Sequence, residues 1–247
     1  MQERGYAGLA GEFQRMLGVE ISPKLLSVLD WYSRELIQWN KKINLTAIRD
    51  PEEIEIKHFL DSLSCLMVMQ PAPGDRIVDV GTGAGFPGLP LKILYPQVRL
   101  TLIESIGKKV KFCRHIVHSL GLKDVEVLQS RAENIGRDSA YRERFDWALA
   151  RAVAVMPVLV EYLLPLLRVG GKAVIQKGES APREAHEASY AIKLLGGRLT
   201  QIKALELPRV VETRHLVVIN KEAATPASYP RRVGVPSKQP LQAVDAE

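Results

Sequence analysis

The stretch DVGTGAGFPGLPL, residues 79–91, places four glycines within eight positions directly after an apolar run. Gly81, Gly83 and Gly85 allow a sharp turn and let a ligand approach the main chain without a Cβ in the way. The loop follows a predicted strand, RIVDV (76–80), and opens a predicted helix with unpaired N–H groups. In a parallel sheet this strand end is where a nucleoside-bearing cofactor binds, so the stretch predicts such a site.

The chain after residue 76 alternates strand-like and helical segments. Five strand-like runs occupy residues 76–80, 98–104, 125–129, 145–150 and 171–177. The segments between them can hold crossover helices, which is typical of a doubly wound parallel sheet. Two further runs, 198–207 and 214–220, are joined too closely for a crossover and predict an antiparallel hairpin. We therefore predict an α/β fold with a seven-stranded, mostly parallel sheet that ends in this hairpin.

The segment before the sheet is predicted to be helical. Ser22 is a candidate N-cap with Pro23 at the first helical position, and Asp50 with Pro51 marks a second helix start. The end of the chain shows no secondary-structure period. The predicted parts are a helical cap (1–70), a cofactor-binding core (71–223) and a basic tail (224–247).

Composition sets broad limits on the function. The chain has 247 residues and a formal net charge of +6, a balance that favours anionic partners such as nucleic acid. Cys65 and Cys113 have no CxxC partner, which predicts buried thiols, and the five histidines lack metal-ligand spacing, so we expect no metal. The longest apolar stretch, 147–167, contains charges, which argues against a membrane span. We expect a cytoplasmic monomer.

Glu104 is the predicted ribose ligand. It ends the second strand, 19 residues beyond Gly85, where a carboxylate can accept both ribose hydroxyls. The glycines alone leave NAD open, because Gly83, Gly85 and Gly88 also satisfy GxGxxG. S-adenosylmethionine is favoured because the Asp79 carboxylate suits a cationic amino-acid moiety and because the hairpin adds an antiparallel strand. The chain also lacks a Tyr-x-x-x-Lys or His–Asp pair for hydride transfer after the cofactor half.

The chain carries five motifs in order: NLTAI (44–48), HFLDSL (58–63), DVGTGAGFPGLPLKI (79–93), ARAVA (150–154) and YPRRVGVPSKQPL (229–241). Together they resemble the bacterial glucose-inhibited division protein B family. The resemblance implies a class I, Rossmann-like methyltransferase that uses S-adenosylmethionine to methylate guanine N7 in small-subunit (16S) ribosomal RNA. It implies cofactor contacts at Gly81, Phe86, Ala132, Glu133 and Arg151, and the ribose role argued for Glu104 fits it. The implied partner is this RNA or the ribosomal subunit.

The end of the fourth strand limits the chemistry further. It reads ALARAVA and lacks the Asn-Pro-Pro-aromatic loop of amino-methylating enzymes, and no cysteine lies between 114 and 247 to serve as a cytosine-C5 nucleophile. Guanine N7 fits by elimination, because its lone pair lies in the ring plane and carries no proton. Catalysis would then be mostly positioning.

Arg151 is the predicted catalytic residue because it sits alone in the apolar run WALARAVAVMPVLV. Its guanidinium can fix the methionine carboxylate, the backbone or an RNA phosphate, or donate to guanine O6 while N7 stays free. The loop after the third strand usually holds the adenine, and there Glu133 or the adjacent main chain can meet the adenine amino group.

The predicted RNA-binding residues lie in the tail and in the cap. Tyr229 beside Arg231 and Arg232 gives a stacking ring next to charges, a combination used for unpaired bases, and Lys238 adds a further charge. The resemblance also makes Asn44 and His58, with Asp61, candidate groups for positioning the substrate or a loop. Two other functions stay open, namely a methyltransferase of protein or a small molecule, and a nucleotide-sensing RNA-binding module without turnover.

Overall fold

Seven strands form one sheet in the computed structural model, which describes residues 7–18 and 20–242. They are β1 Arg76–Val80, β2 Arg99–Glu104, β3 Val125–Gln129, β4 Phe145–Arg151, β5 Leu167–Lys177, β6 Gly197–Leu205 and β7 Arg214–Lys221. Their order is β3-β2-β1-β4-β5-β7-β6. The first five strands are parallel, and β7 runs antiparallel to both β5 and β6. The predicted fold class is confirmed, including the C-terminal hairpin.

Helices precede the sheet and connect its strands. They are α1 Ala7–Leu17, α2 Pro23–Asn40, α3 Pro51–Ile54, α4 Asp61–Leu63, α5 Gly88–Leu94, α6 Gly107–Ser119, α7 Ala132–Arg137, α8 Met156–Leu163, α9 Ala181–Glu187, α10 Ser189–Leu194 and α11 Val235–Lys238. The segment before β6 holds two helices, α9 and α10, which are separated by a turn at Ala188. Among the described residues no helix combines the length and apolarity needed to cross a bilayer.

Both faces of the sheet are buried. Ile77 and Leu102 point into a cluster with α2, α5 and α6, whereas Val78 and Ile103 join the cluster formed by α7 to α10. This alternation follows from the two-residue period of a strand, and it explains why the strands read as continuous apolar runs. Cys113 and Cys65 are free and buried, as expected.

Both cap helices begin where the sequence predicts, and the second changes helix type along its length. The Ser22 side chain accepts from Leu25 N, and Asp50 accepts from the N–H groups of Glu52 and Glu53. After α3, residues Glu55–Leu60 form a π-helical segment, followed by α4 and a 3₁₀ turn at Ser64–Met67. π-Helical turns are rare and often lie at functional sites, and periodicity alone does not reveal them.

The tail packs on the core as far as the structure describes it. Arg142 donates to the main-chain oxygens of Thr225 and Tyr229, and Arg137 donates to that of Pro230. These contacts hold the tail in place. The tail shows no periodic pattern in the sequence because it contains little helix and no strand among the described residues. The division into cap, core and tail stays a prediction.

Candidate cofactor and substrate site

The candidate site lies at the switch point of the sheet, where β1 has β2 on one side and β4 on the other. Val80 pairs with Ala150, so Gly81, directly after β1, lies beside Arg151, the last residue of β4. In doubly wound sheets ligands bind in this crevice. A cavity of about 370 Å³ opens there. Its lining includes Gly81, Thr82, Gly83, Ala84, Phe86, His58, Asp61, Arg151, Gln176, Lys177 and Arg214.

The glycine loop has the backbone geometry that its sequence predicts. Gly81, Gly83 and Gly85 have φ values of 68°, 62° and 93°, which side-chain-bearing residues rarely adopt. A Cβ on Gly81 would lie 2.6 Å from Cγ2 of Val153. The Tyr32 hydroxyl donates to the main-chain oxygen of Ala84 and ties the loop to α2. The loop therefore presents bare main chain to the cavity.

Asp79 lies beneath the loop and does not line the cavity. Its side chain is fully buried, and Oδ2 accepts from Thr82 Oγ1 at 2.6 Å and from Gly88 N at 2.8 Å. Burial raises the pKa of Asp79 to about 6. Oδ2 thus braces the loop against α5, and a direct contact of the Asp79 carboxylate with a cationic moiety stays a prediction.

Glu104 lies at the carboxyl end of β2, beside the loop. Its Oε2 accepts from Gly83 N at 3.0 Å and its Oε1 from Ile106 N at 2.8 Å. Each carboxylate oxygen has a second lone pair, so both can still accept a hydroxyl hydrogen. Ile106 is 43% exposed at this edge, an apolar surface that the sequence analysis missed.

Arg151 is held between the cap and the loop. Its Nη1 donates to Asp61 Oδ2 at 2.7 Å and to the Lys57 carbonyl at 3.1 Å. Its Nη2 lies 3.3 Å from Nδ1 of His58, and its guanidinium carbon lies 5.3 Å from the centroid of the Phe86 ring. The His58 ring stacks on Phe86 with centroids 4.6 Å apart. Four side chains from the cap, the loop and β4 thus form one cluster.

His58 is neutral in this cluster. Burial, aided by the Arg151 charge, lowers its pKa to about 3. Because Arg151 is always a donor, Nδ1 of His58 accepts and carries no proton, so Nε2 carries it. Nε2 lies 2.9 Å from Thr46 Oγ1, which accepts this hydrogen. The imidazole is therefore fixed in one tautomer by partners on both sides.

Three residues of this site, Asn40, Thr46 and Gln176, are absent from the predicted set. Asn40 Oδ1 accepts from the N–H groups of Leu45 and Thr46, and this places Thr46 against His58 and leaves Asn44 exposed. Gln176 pairs in register with Arg151, and its Nε2 donates to the Asp61 carbonyl at 2.6 Å. Asp61, which the resemblance already pairs with His58, follows it in HFLDSL by one helical turn.

Ala132 and Glu133 begin α7 after β3 and lie outside the cavity at the glycine loop. Glu133 is 3% exposed, and its Oε1 accepts from Gly234 N at 3.0 Å. Burial, then the Glu133 and Glu161 carboxylates, raise the pKa of the neighbouring Tyr162 to about 12. One oxygen of the buried Glu133 carboxylate is thus engaged by the tail, and a contact of this segment with the adenine stays a prediction.

The four predicted tail residues separate into two sets. Arg232 and Lys238 are exposed, and Tyr229 is partly buried. Arg231 instead forms a forked ion pair with the fully buried Glu161, with Nη2 to Oε2 at 2.6 Å and Nε to Oε1 at 3.0 Å. This pairing gives Arg231 a structural contact where an RNA contact was expected, because its charge is already neutralised inside the fold.

The fold and the switch-point site define a class I methyltransferase. Solved structures with this fold include TrmN from Thermus thermophilus, with a TM-score of 0.52 and 20% identity over 65% of this chain and 48% of that one. A SAM dependent methyltransferase from Aquifex aeolicus gives a TM-score of 0.51 at 20% identity, covering 69% of this chain and 93% of that one. These likenesses establish the fold.

Sequence relatives identify the family. The GidB family model, described as rRNA small subunit methyltransferase G, matches residues 26–217. Ribosomal RNA small subunit methyltransferase G of Roseiflexus castenholzii is 49% identical over 224 residues, 91% of this chain and 95% of the relative. That of Symbiobacterium thermophilum is 46% identical over 246 residues, 98% and 100% of the two chains. The chain belongs to the rRNA small subunit methyltransferase G family, and the predicted resemblance and enzyme class are confirmed.

Proposed function

We propose that this protein transfers a methyl group from S-adenosylmethionine to N7 of a guanine in small-subunit ribosomal RNA, in the switch-point cavity. The main support is the cluster of Arg151, His58 and Asp61 on Phe86. The acceptor atoms that face the guanidinium, His58 Nδ1 and Asp61 Oδ2, are already hydrogen-bonded to Arg151. Such a site suits a reaction that removes no proton from the attacking nitrogen.

The donor fits the glycine side of the cavity. When bound, S-adenosylmethionine supplies an electrophilic methyl group on a sulfonium. The free lone pairs of Glu104 suit its two ribose hydroxyls, and the Cβ-free Gly81 and Gly83 allow close approach of the main chain. Ile106 gives an apolar surface for the adenine, with Ala132 and the main chain of Glu133 beyond it.

Arg151 keeps donors for a ligand. A guanidinium has five N–H groups, and the hydrogen bonds within the described structure use the two of Nη1 and one of Nη2. The Nε–H and the second Nη2–H are left for the donor carboxylate or for guanine O6. Asp61 and His58 hold the guanidinium in place, so this alignment is set before the substrate arrives.

The chemistry then needs alignment alone. The in-plane lone pair of N7 forms the new N–C bond while the S–C bond breaks, and the positive charge passes from sulfur to the purine ring. No general base acts at N7 because that atom carries no hydrogen. Neutral His58 adds no positive charge beside the purine as it becomes cationic. Positioning of the two reactants can supply several kcal/mol of the barrier reduction, roughly 7–11 kcal/mol in well-oriented systems.

The RNA would approach along the cationic rim of the cavity. Lys57, Lys109 and Arg214 line it, and the exposed Arg232 and Lys238 are further cationic positions on the tail. Phosphate contacts of this kind give affinity that falls with salt.

The decisive experiment uses two small-subunit RNA transcripts that differ only at ring position 7 of their guanines. The protein is incubated with radiolabelled S-adenosylmethionine and RNA transcribed with either guanosine or 7-deazaguanosine, whose position 7 is a C–H. Label is expected in the guanosine transcript as N7-methylguanosine after nuclease digestion and mass analysis, and none in the deaza RNA. Equal labelling of both would refute the N7 assignment. Donor binding without transfer to any RNA would favour the non-catalytic module.

A further inference from the structure

The tail contacts the six-residue helix α7 at three points. Gly234 N donates to Glu133 Oε1 at 3.0 Å, near the start of the helix. At its end, Arg137 Nε donates to the Pro230 carbonyl at 2.7 Å. Between them the Pro230 ring lies against Gly136, where a Cβ would come within 2.9 Å of Pro230 Cγ. The tail therefore follows the outer side of α7 over its whole length.

The tail is itself anchored on α8. Arg231 donates through N, Nε and Nη2 to the two oxygens of Glu161, at distances from 2.6 to 3.2 Å. Glu161 is completely buried, and 23% of the Arg231 side chain is exposed. A forked pair with a buried carboxylate has a fixed geometry, because two hydrogen bonds at once set the orientation of both side chains. Arg142 reinforces the anchor, because its Nη1 donates to both Gly136 and Tyr229 carbonyls.

The helix α7 needs such support because of its place in the fold. It follows β3, an edge strand of the sheet, and its inner side packs on α8. A six-residue helix has little stability of its own, so its position depends on its tertiary contacts. Its first residues, Ala132 and Glu133, are those that the proposed function places at the adenine.

We propose that the tail is a positioning element of the donor pocket, in which the Arg231–Glu161 pair fixes Gly234 and Pro230 against α7. This inference rests on the proposed function, which puts the adenine beside Ala132. The role of Arg231 is then to set donor affinity and not to bind RNA. The adjacent Arg232 is exposed and serves as a matched control.

The test measures donor affinity in three folded variants. Arg231→Lys keeps the charge but loses the two-pronged hydrogen bonding to Glu161. Gly136→Ala acts from the α7 side of the contact, where the new Cβ would displace Pro230. The control is Arg232→Lys. Calorimetry with S-adenosylmethionine and with S-adenosylhomocysteine is expected to show affinity about tenfold weaker in the first two variants, equivalent to the net contribution of one hydrogen bond. The control should be unchanged, and thermal melts confirm that each protein is folded at the assay temperature.

Two further readouts separate positioning from general destabilisation. The KM for the donor should rise while kcat at saturating donor and the Kd for RNA stay at the wild-type values. The double variant Gly136→Ala with Arg231→Lys should lose less than the product of the single losses, because both act on one contact. Unchanged donor affinity in folded variants, or a loss of RNA affinity instead, would overturn the inference. Failure of the wild-type protein to bind the donor would refute the proposed function itself.

Discussion

Nη2 of Arg151 donates to Nδ1 of His58 across 3.3 Å, although 93 residues separate the two in the chain. His58 comes from the π-helical segment of the cap and Arg151 from the end of β4. Both lie on the ring of Phe86, which the glycine loop supplies. The candidate site is therefore built from the cap and the core together, and changes in either part should alter it.

Asp61→Asn is expected to lower both stability and activity. The Asp61–Arg151 pair is largely buried, with 9% and 14% of the two side chains exposed, so removal of one charge leaves the other uncompensated. We expect a loss of about 3 kcal/mol in the free energy of unfolding and a lower kcat. Asp30→Asn, which removes an exposed pair with Arg34, should cost less than about 1 kcal/mol. Equal losses in urea unfolding would contradict the expectation.

His58→Asn should flatten the pH dependence of stability. The folded-state pKa of His58 is lowered to about 3, so below the unfolded value near 6.5 the unfolded chain binds the extra proton. The His58 contribution is thus present above pH 6.5 and is lost as the pH falls. Relative to the variant, the wild type should lose up to about 2 kcal/mol between pH 6.5 and 5. The raised pKa of Asp79 makes its contribution to stability change with pH in the opposite direction. This contribution is present in both the wild type and the variant, so it cancels in the difference between them. A pH-independent difference in denaturant unfolding would disprove the prediction.

Gly81→Ala should abolish methyl transfer, and Val153→Ala should partly restore it. The new Cβ would meet Cγ2 of Val153 at 2.6 Å, so the segment after Arg151 must shift. Shortening Val153 removes this contact, but the strain of φ 68° stays at roughly 1–2 kcal/mol. Initial rates of RNA methylation check the order wild type, double variant, Gly81→Ala. No recovery in the double variant would mean that the contact is not the cause.

Glu104→Gln should weaken donor binding about 10- to 100-fold, the range expected for hydrogen bonds to a charged group. The amide nitrogen of the substituted side chain is a donor and would face the N–H of Gly83 or of Ile106, so one of these hydrogen bonds is lost. The amide also offers one acceptor oxygen in place of two. Glu126→Gln, exposed on the neighbouring β3, is the control. Calorimetry with S-adenosylmethionine measures both, and full affinity in the Glu104 variant would remove the ribose assignment.

Arg232→Ala combined with Lys238→Ala should weaken RNA binding and reduce its salt dependence. Both side chains are exposed. Each lost phosphate contact on single-stranded RNA should lower the slope of log affinity against log salt by about 0.7. Filter binding at several salt concentrations gives this slope, and donor affinity should not change. Arg99→Ala, which changes an exposed residue at the amino end of β2, should leave the slope as it is.

Local features of the sequence sufficed for the framework of the site. The loop after β1 could be placed because the need for glycine is local. Gly81, Gly83 and Gly85 each have a positive φ, which residues with a side chain rarely adopt. The caps at Ser22 and Asp50 depend on N–H groups two or three residues away. The order of apolar runs then fixed the sheet class, because parallel strands need crossovers and a short joint forces a hairpin.

Only the tertiary structure decided which partner each polar side chain takes. Asp79 lies under the loop and not in the cavity, and Thr46, not Asn44, meets His58. Arg231 binds Glu161 across 70 residues, where the sequence shows only one basic residue among others in a tail. The physical reason is that strand and turn signals are local, whereas buried hydrogen bonds and ion pairs form between groups that the chain brings together only after the sheet and its helices have packed.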